Sequence, residues 1–128
     1  MNKTKSNVDD RLLDYLPLTP AVFHILLALS EGAQHGYAVM KEVAAQTDGE
    51  LRLGSGKLYY SIQRMLDEEL IGEIEPPPGH KPERGRRTYE LTELGRDLLE
   101  AEAQRLQRTV KLAQHRHVLA DPKSETPR

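Results

Sequence analysis

Gly54-Ser55-Gly56-Lys57-Leu58-Tyr59-Tyr60-Ser61-Ile62-Gln63-Arg64-Met65-Leu66 is the stretch on which the reading of this chain turns. Small residues open it. Leu58, Ile62, Met65, Leu66 and then Leu70 recur at i, i+4, i+7 and i+8, the spacing of a helix with one apolar face. The predicted helix runs from Gly54 to about Leu70. Lys57, Tyr60, Ser61 and Arg64 fall on the opposite side, again at helical spacing. One face is therefore destined for a core and the other is left for a partner.

Working upstream, a second helix is predicted from about Gly36 to Gln46, with Tyr37, Met40, Val43 and Ala44 at helical spacing and Thr47-Asp48-Gly49 as the turn that ends it. Leu51 and Leu53 suggest a very short strand. Before these, Thr19-Pro20 pairs an N-cap residue with a proline at the first helical position. The almost wholly apolar run Ala21 to Leu29 follows, and Gly32 supplies a stop. Val8, Leu12, Leu13 and Leu16 form a short amphipathic stretch ended by Pro17. Residues 1–7 read as a disordered start.

Downstream, Ile71-Gly72-Glu73-Ile74 and Thr88-Tyr89-Glu90-Leu91 are strand candidates separated by a Pro/Gly-rich loop, Pro76 to Gly85. Thr92 then caps a last helix reaching roughly Val118, with Leu94, Leu98, Leu99, Leu106, Val110 and Ala113 as its apolar stripe. Its acids sit early and its bases late, which complements the helix dipole. The order is helix, helix, helix, hairpin, helix. This reads as a mainly α chain with a small β-hairpin, a winged helix-turn-helix followed by a C-terminal dimerisation helix. The expected divisions are an N-terminal extension (1–17), a DNA-binding domain (18–92), the dimerisation helix (93–120) and a disordered tail (121–128).

Composition narrows the function classes. The chain has 128 residues, a single Phe, no Trp and no Cys, which excludes disulfides, thiolate metal sites and cysteine nucleophiles. The core must be built from aliphatic residues, and so small a core gains further burial by oligomerising. No run approaches the roughly 20 apolar residues of a membrane span, and the N-terminus lacks a signal-peptide stretch, so a cytoplasmic protein with no membrane partner is expected. The net charge of −2 argues against indiscriminate nucleic-acid binding. It leaves room for a local basic surface, because phosphate attraction acts over about a Debye length.

Two such surfaces stand out. A B-DNA major groove admits one α-helix whose side chains meet base edges. Ser55, Lys57, Tyr60, Ser61 and Arg64 are chemically suited to that groove. The cations donate to guanine or phosphate, and the hydroxyls and first-turn N–H groups meet phosphate oxygens. The plainer reading is an ordinary solvated helix face, but the small-residue start and the basic hairpin close behind favour DNA. In that hairpin, Lys81, Arg84, Arg86 and Arg87 face only Glu83, a local charge of about +3 from those five residues, suited to phosphates or the minor groove. Asp67, Glu68, Glu69, Glu73 and Glu75 place negative charge beyond the far end of the helix, where it would repel DNA from the wrong side.

Leu26-Leu27-Ala28-Leu29, His35-Gly36-Tyr37, Gly54-Ser55-Gly56-Lys57-Leu58-Tyr59 and Gly85-Arg86-Arg87-Thr88-Tyr89-Glu90-Leu91-Thr92-Glu93-Leu94-Gly95 occur in that order, and together they resemble the PadR family of transcriptional regulators over about residues 18–100. The resemblance implies a dimeric repressor, usually on a palindromic operator and released by a small ligand or signal. It also implies that Tyr37, Ser55, Lys57, Tyr59, Arg64, Arg86 and Arg87 lie on or beside DNA. One departure is Tyr60, where the family usually has proline after the tyrosine. The chain ends soon after its last helix, like shorter members, so dimerisation is expected to rest on Leu99, Leu106, Val110 and Ala113 packed with Leu12, Leu13 and Leu16.

Other chemistry has little support. His115-x-His117 cannot bring both rings to one helical face, so no metal is expected, and His24 and His35 read as packed or capping residues. Glu68-Glu69 has no partner to tune it for acid–base work. Gly54-Ser55-Gly56-Lys57 lacks the spacing and preceding strand of a phosphate-binding loop. No enzyme and no cofactor is expected. The competing reading is a winged-helix module that binds protein and not DNA.

Overall fold

Thr19 does what its position in the sequence predicts: its hydroxyl accepts the Val22 N–H at 3.2 Å and starts a helix with Pro20 at the first position. The computed structural model describes residues 10–76, 78–79 and 86–120. In chain order these form α1 (Asp10–Leu13), α2 (Pro20–Ala28), β1 (Gln34–His35), α3 (Gly36–Gln46), α4 (Ser55–Asp67), β2 (Ile71–Ile74), β3 (Thr88–Leu91) and α5 (Glu93–His115). The two hairpin strands and α3 fall where their patterns place them.

Differences are instructive. Leu51 and Leu53 form no strand, and Leu53 is simply buried in the core. The third strand is instead β1, whose Gln34 and His35 pair antiparallel with Tyr89 and Thr88, giving a sheet ordered β1-β3-β2. On α3 the core residues are Val39 and Val43, whereas Tyr37 is exposed. The helix α4 ends at Asp67, three residues before the expected end at Leu70.

That early end has a physical cause shared with two other helices. Past α4, Glu69 takes a φ of 64° while the N–H groups of Leu70 and Glu69 donate to the carbonyls of Met65 and Leu66 at 2.9 and 3.0 Å. This is a Schellman ending, and it leaves Leu70 free to turn into the core. The same 6→1 and 5→2 bonds close α3 at Asp48 and Gly49, and α5 at His117 and Val118. The left-handed positions Asp48, Glu69 and His117 all lack the glycine that usually signals such a stop.

One aliphatic core unites these elements. Ile25, Leu26 and Leu29 from α2, Val39 and Val43 from α3, Leu58, Ile62 and Met65 from α4, Leu70 and Ile71, Tyr89, and Leu98 and Leu99 of α5 are buried together, with Leu12 beneath them. Gly95 is required where α5 crosses the end of α4, because a Cβ there would collide with the Leu70 carbonyl oxygen. Glu102 is the buried charge among the described residues, 2% exposed, and its carboxylate accepts from the Leu18 N–H at 3.1 Å and from Arg105 Nε at 2.6 Å. The Arg105 guanidinium, above all, holds the Glu102 carboxyl below the usual range. The α5 helix is thereby fastened to the segment that follows α1.

Candidate nucleic-acid interface

Because Leu58, Ile62 and Met65 seat α4 on the core, the remaining side of the helix is fixed in space. Gly54 holds the N-cap in extended conformation without a side-chain cap, so the first-turn N–H groups point past small residues into the open. Ser55, Gly56, Lys57, Tyr60 and Arg64 are exposed, and Ser61 is half-buried at the edge of the same face. Lys57, Tyr60, Ser61 and Arg64 thus share one surface, as their spacing predicts.

Tyr59 lies apart from them. It packs against the core, and a Cβ at Gly36 would lie 2.6 Å from its hydroxyl oxygen. The absence of a side chain at Gly36 gives the Tyr59 ring its place against the start of α3, and a larger residue there would force the ring to shift. The neighbouring Tyr37 is exposed, with Lys41 Nζ 4.9 Å from its ring centroid. The motifs in the sequence do not single out Lys41, although its i+4 spacing from Tyr37 is a signal that could.

The hairpin root lies beside this surface. Arg86 and Arg87 are exposed, and the Arg87 carbonyl accepts the Gly36 N–H at 3.1 Å, tying the hairpin to the start of α3. On the outer sheet face, Thr88 Oγ1 and His35 Nδ1 share a 3.0 Å hydrogen bond. Lys81, Glu83 and Arg84, and with them the tip of the predicted basic loop, lie outside the described residues.

Two arginines of this region are engaged by carboxylates. Arg87 Nη1 donates to Glu73 Oε2 at 2.7 Å, a diagonal cross-strand contact set by the Glu73–Tyr89 register. The sequence groups Glu73 with acids that repel DNA, whereas the structure pairs it with Arg87. Its charge, after burial, also helps push the Tyr89 phenol above its ordinary value. Arg64 Nη2 donates to Glu68 Oε2 at 3.3 Å, one turn further along α4. The Tyr60 hydroxyl and then Glu68 raise the Arg64 guanidinium above its ordinary value.

The expected dimer residues divide into two groups. Leu12 and Leu99 are already buried within the chain and Leu16 is half-buried, so they leave little area for a partner. Leu13, Leu106 and Val110 are exposed, with Ala113 half-buried on the same stripe of α5.

The sequence pattern of the transcriptional regulator PadR-like family matches residues 25–101. The fold is similar to a PadR family transcription regulator from Clostridium difficile R20291, with 25% identity, a TM-score of 0.60, and coverage of 79% of this chain and 100% of that one. A PadR-like regulator from Bacillus cereus, 20% identical, gives a TM-score of 0.59 over 88% of this chain and all of its own, a likeness of fold alone. An uncharacterised 37.1 kDa protein of transposon TN4556 from Streptomyces fradiae is 39% identical over 85 residues, which are 66% of this chain but only 22% of that protein. No helix among the described residues is long and apolar enough to cross a membrane. With the matched residues running from the core of α2 through the hairpin into α5, the chain belongs to the PadR-like family of transcriptional regulators.

Proposed function

We propose that this chain is a sequence-specific repressor that binds a pseudo-palindromic operator as a homodimer and is released by a small-molecule effector or signal. The observation that carries the reading is the free face of α4. Its apolar side is spent on the core, while Ser55, Lys57, Tyr60, Ser61 and Arg64 stand on or at the edge of the exposed side. Tyr37, Arg86 and Arg87 would meet phosphates beside that face, Lys81 and Arg84 of the basic loop would add to the contact by their charge, and Tyr59, packed on the core, would act only by seating α4.

Dimerisation is supported by the second half of α5. The stripe that is buried at Leu98 and Leu99 continues beyond the protomer core as Leu106 and Val110, 38% and 44% exposed, and half-buried Ala113. A two-fold axis through that stripe makes the contact self-complementary. Two α4 helices would then reach half-sites about 34 Å apart. Release by a ligand rests on the family resemblance.

The net charge of −2 and the carboxylate-bound arginines favour a second reading, a protein-binding module without DNA contact. Selection from a pool of random duplexes, followed by anisotropy titration of the selected sequence at several salt concentrations, separates the two. The repressor reading expects an enriched inverted repeat whose affinity falls steeply with salt. Enrichment of nothing, or binding indifferent to sequence, contradicts it.

A further inference from the structure

The exposed ridge of α4 carries Tyr60, Arg64 and Glu68 at successive i+4 positions, and Arg64 Nη2 donates to Glu68 Oε2 at 3.3 Å. For helix stability this is a poor choice. Glu68 is the C-cap residue, where a negative charge opposes the helix dipole. An arginine placed before an acid is also the weaker order for an i,i+4 pair. Exposed as both side chains are, at 59% and 40%, the pair adds little to folding.

The arrangement has a different consequence at a groove. A guanidinium has five N–H donors, and one edge can stay on a carboxylate while another forks onto an acceptor pair. With one edge on Glu68, Arg64 keeps donors for a base edge without losing that partner. A phosphate drawn to the same guanidinium is repelled by the Glu68 carboxylate, whereas a neutral base edge is not. Building on the repressor reading, we infer that Glu68 is a positioning residue that sets base specificity by orienting Arg64 toward the O6 and N7 acceptors of a guanine. Glu68 thus favours the correct site over all others, since at any other sequence Arg64 stays on the carboxylate or breaks from it.

The Arg87–Glu73 pair provides an internal control. Arg87 sits at the hairpin root, on a different element from Arg64, so freeing it adds a phosphate contact common to every sequence.

The test uses the full chain with Glu68→Gln and Glu73→Gln. Each variant is titrated against the selected operator, against operators carrying each of the other bases at the guanine positions, and against random duplex. A bidentate arginine distinguishes guanine about ten- to a hundredfold. The inference expects that preference to fall several-fold at one position, mirrored in both half-sites, in Glu68→Gln. Random-duplex affinity should rise about two- to fivefold in Glu68→Gln. Glu73→Gln should tighten all sequences alike. A uniform shift with base preference intact in Glu68→Gln overturns the inference. If the native protein selects no sequence at all, the repressor reading itself fails and this inference falls with it. Glu68→Gln removes a charge that opposes the helix dipole, so it is expected to fold; circular dichroism and melting of each variant confirm that the comparison is between folded proteins.

Discussion

The hydroxyl of Thr92 lies 2.6 Å from the Glu69 carbonyl and 2.9 Å from the Gly95 N–H, so the cap of α5 is also the latch on the end of α4. The Thr92 N–H adds a bond to the Leu70 carbonyl at 3.1 Å. The helix proposed to face DNA and the helix that carries the exposed apolar stripe are joined through one residue. Half-site geometry therefore depends on how firmly that joint is held.

Thr92→Val keeps the shape and removes the hydroxyl. It should lower stability by about 1–2 kcal/mol, the loss of an N-cap plus one side-chain hydrogen bond. Urea denaturation followed by circular dichroism checks this, with a reduced midpoint and an unchanged slope expected.

Glu102 makes stability depend on pH. Its folded pKa is depressed, first by Arg105, so its contribution is complete above the unfolded carboxylate value of about 4.3 and is lost as pH falls through the lower folded value. Glu102→Gln should cost about 1–3 kcal/mol at neutral pH. The difference between the variant and the native chain should shrink on acidification. Melting curves at stepped pH values measure it, and a constant difference down to low pH would refute the assignment.

Leu106→Asp combined with Val110→Asp places charge on the exposed part of the α5 stripe without touching the protomer core. Sedimentation should show a dimer become a monomer with its circular dichroism preserved. Affinity for the operator should fall at least tenfold, because two linked half-sites bind with a high effective concentration. Leu99→Asp, by contrast, should unfold the chain, because Leu99 is in the core.

Arg64→Ala should reduce operator affinity roughly ten- to a hundredfold while leaving random-duplex affinity within a few-fold. Arg86→Ala should weaken both to a similar degree and flatten the salt dependence by about one contact. Anisotropy titrations on the two duplexes at matched salt compare them directly.

Much of this architecture is legible in the sequence because it is written in short-range chemistry. Thr19-Pro20 and Thr92 announce helix starts, the Leu58–Ile62–Met65 spacing gives the seated face of α4, and the alternation around Tyr89 gives the hairpin. What escapes such reading depends on longer-range pairing. Gln34-His35 has no periodicity to show, and becomes a strand only because β3 offers it an open edge. The stop after Asp67 is hidden by a glutamate in the left-handed position. In the interface, the residues on the face of α4 follow from spacing, but the inward turn of Tyr59 requires knowing that Gly36 lies beneath it. The Arg87–Glu73 pair requires the hairpin register, and the Arg64–Glu68 pair, though spaced at i+4, reads in the sequence as two separate charges.

The most direct test of the central claim, that two symmetric α4 helices read the major groove, is a hydroxyl-radical footprint of the native chain on its selected duplex. Two protected patches centred about 10–10.5 base pairs apart on one face of the DNA are predicted, and both should disappear together when Lys57 and Arg64 are replaced by alanine. A single patch, continuous protection that ignores sequence, or a footprint untouched by those substitutions would contradict it.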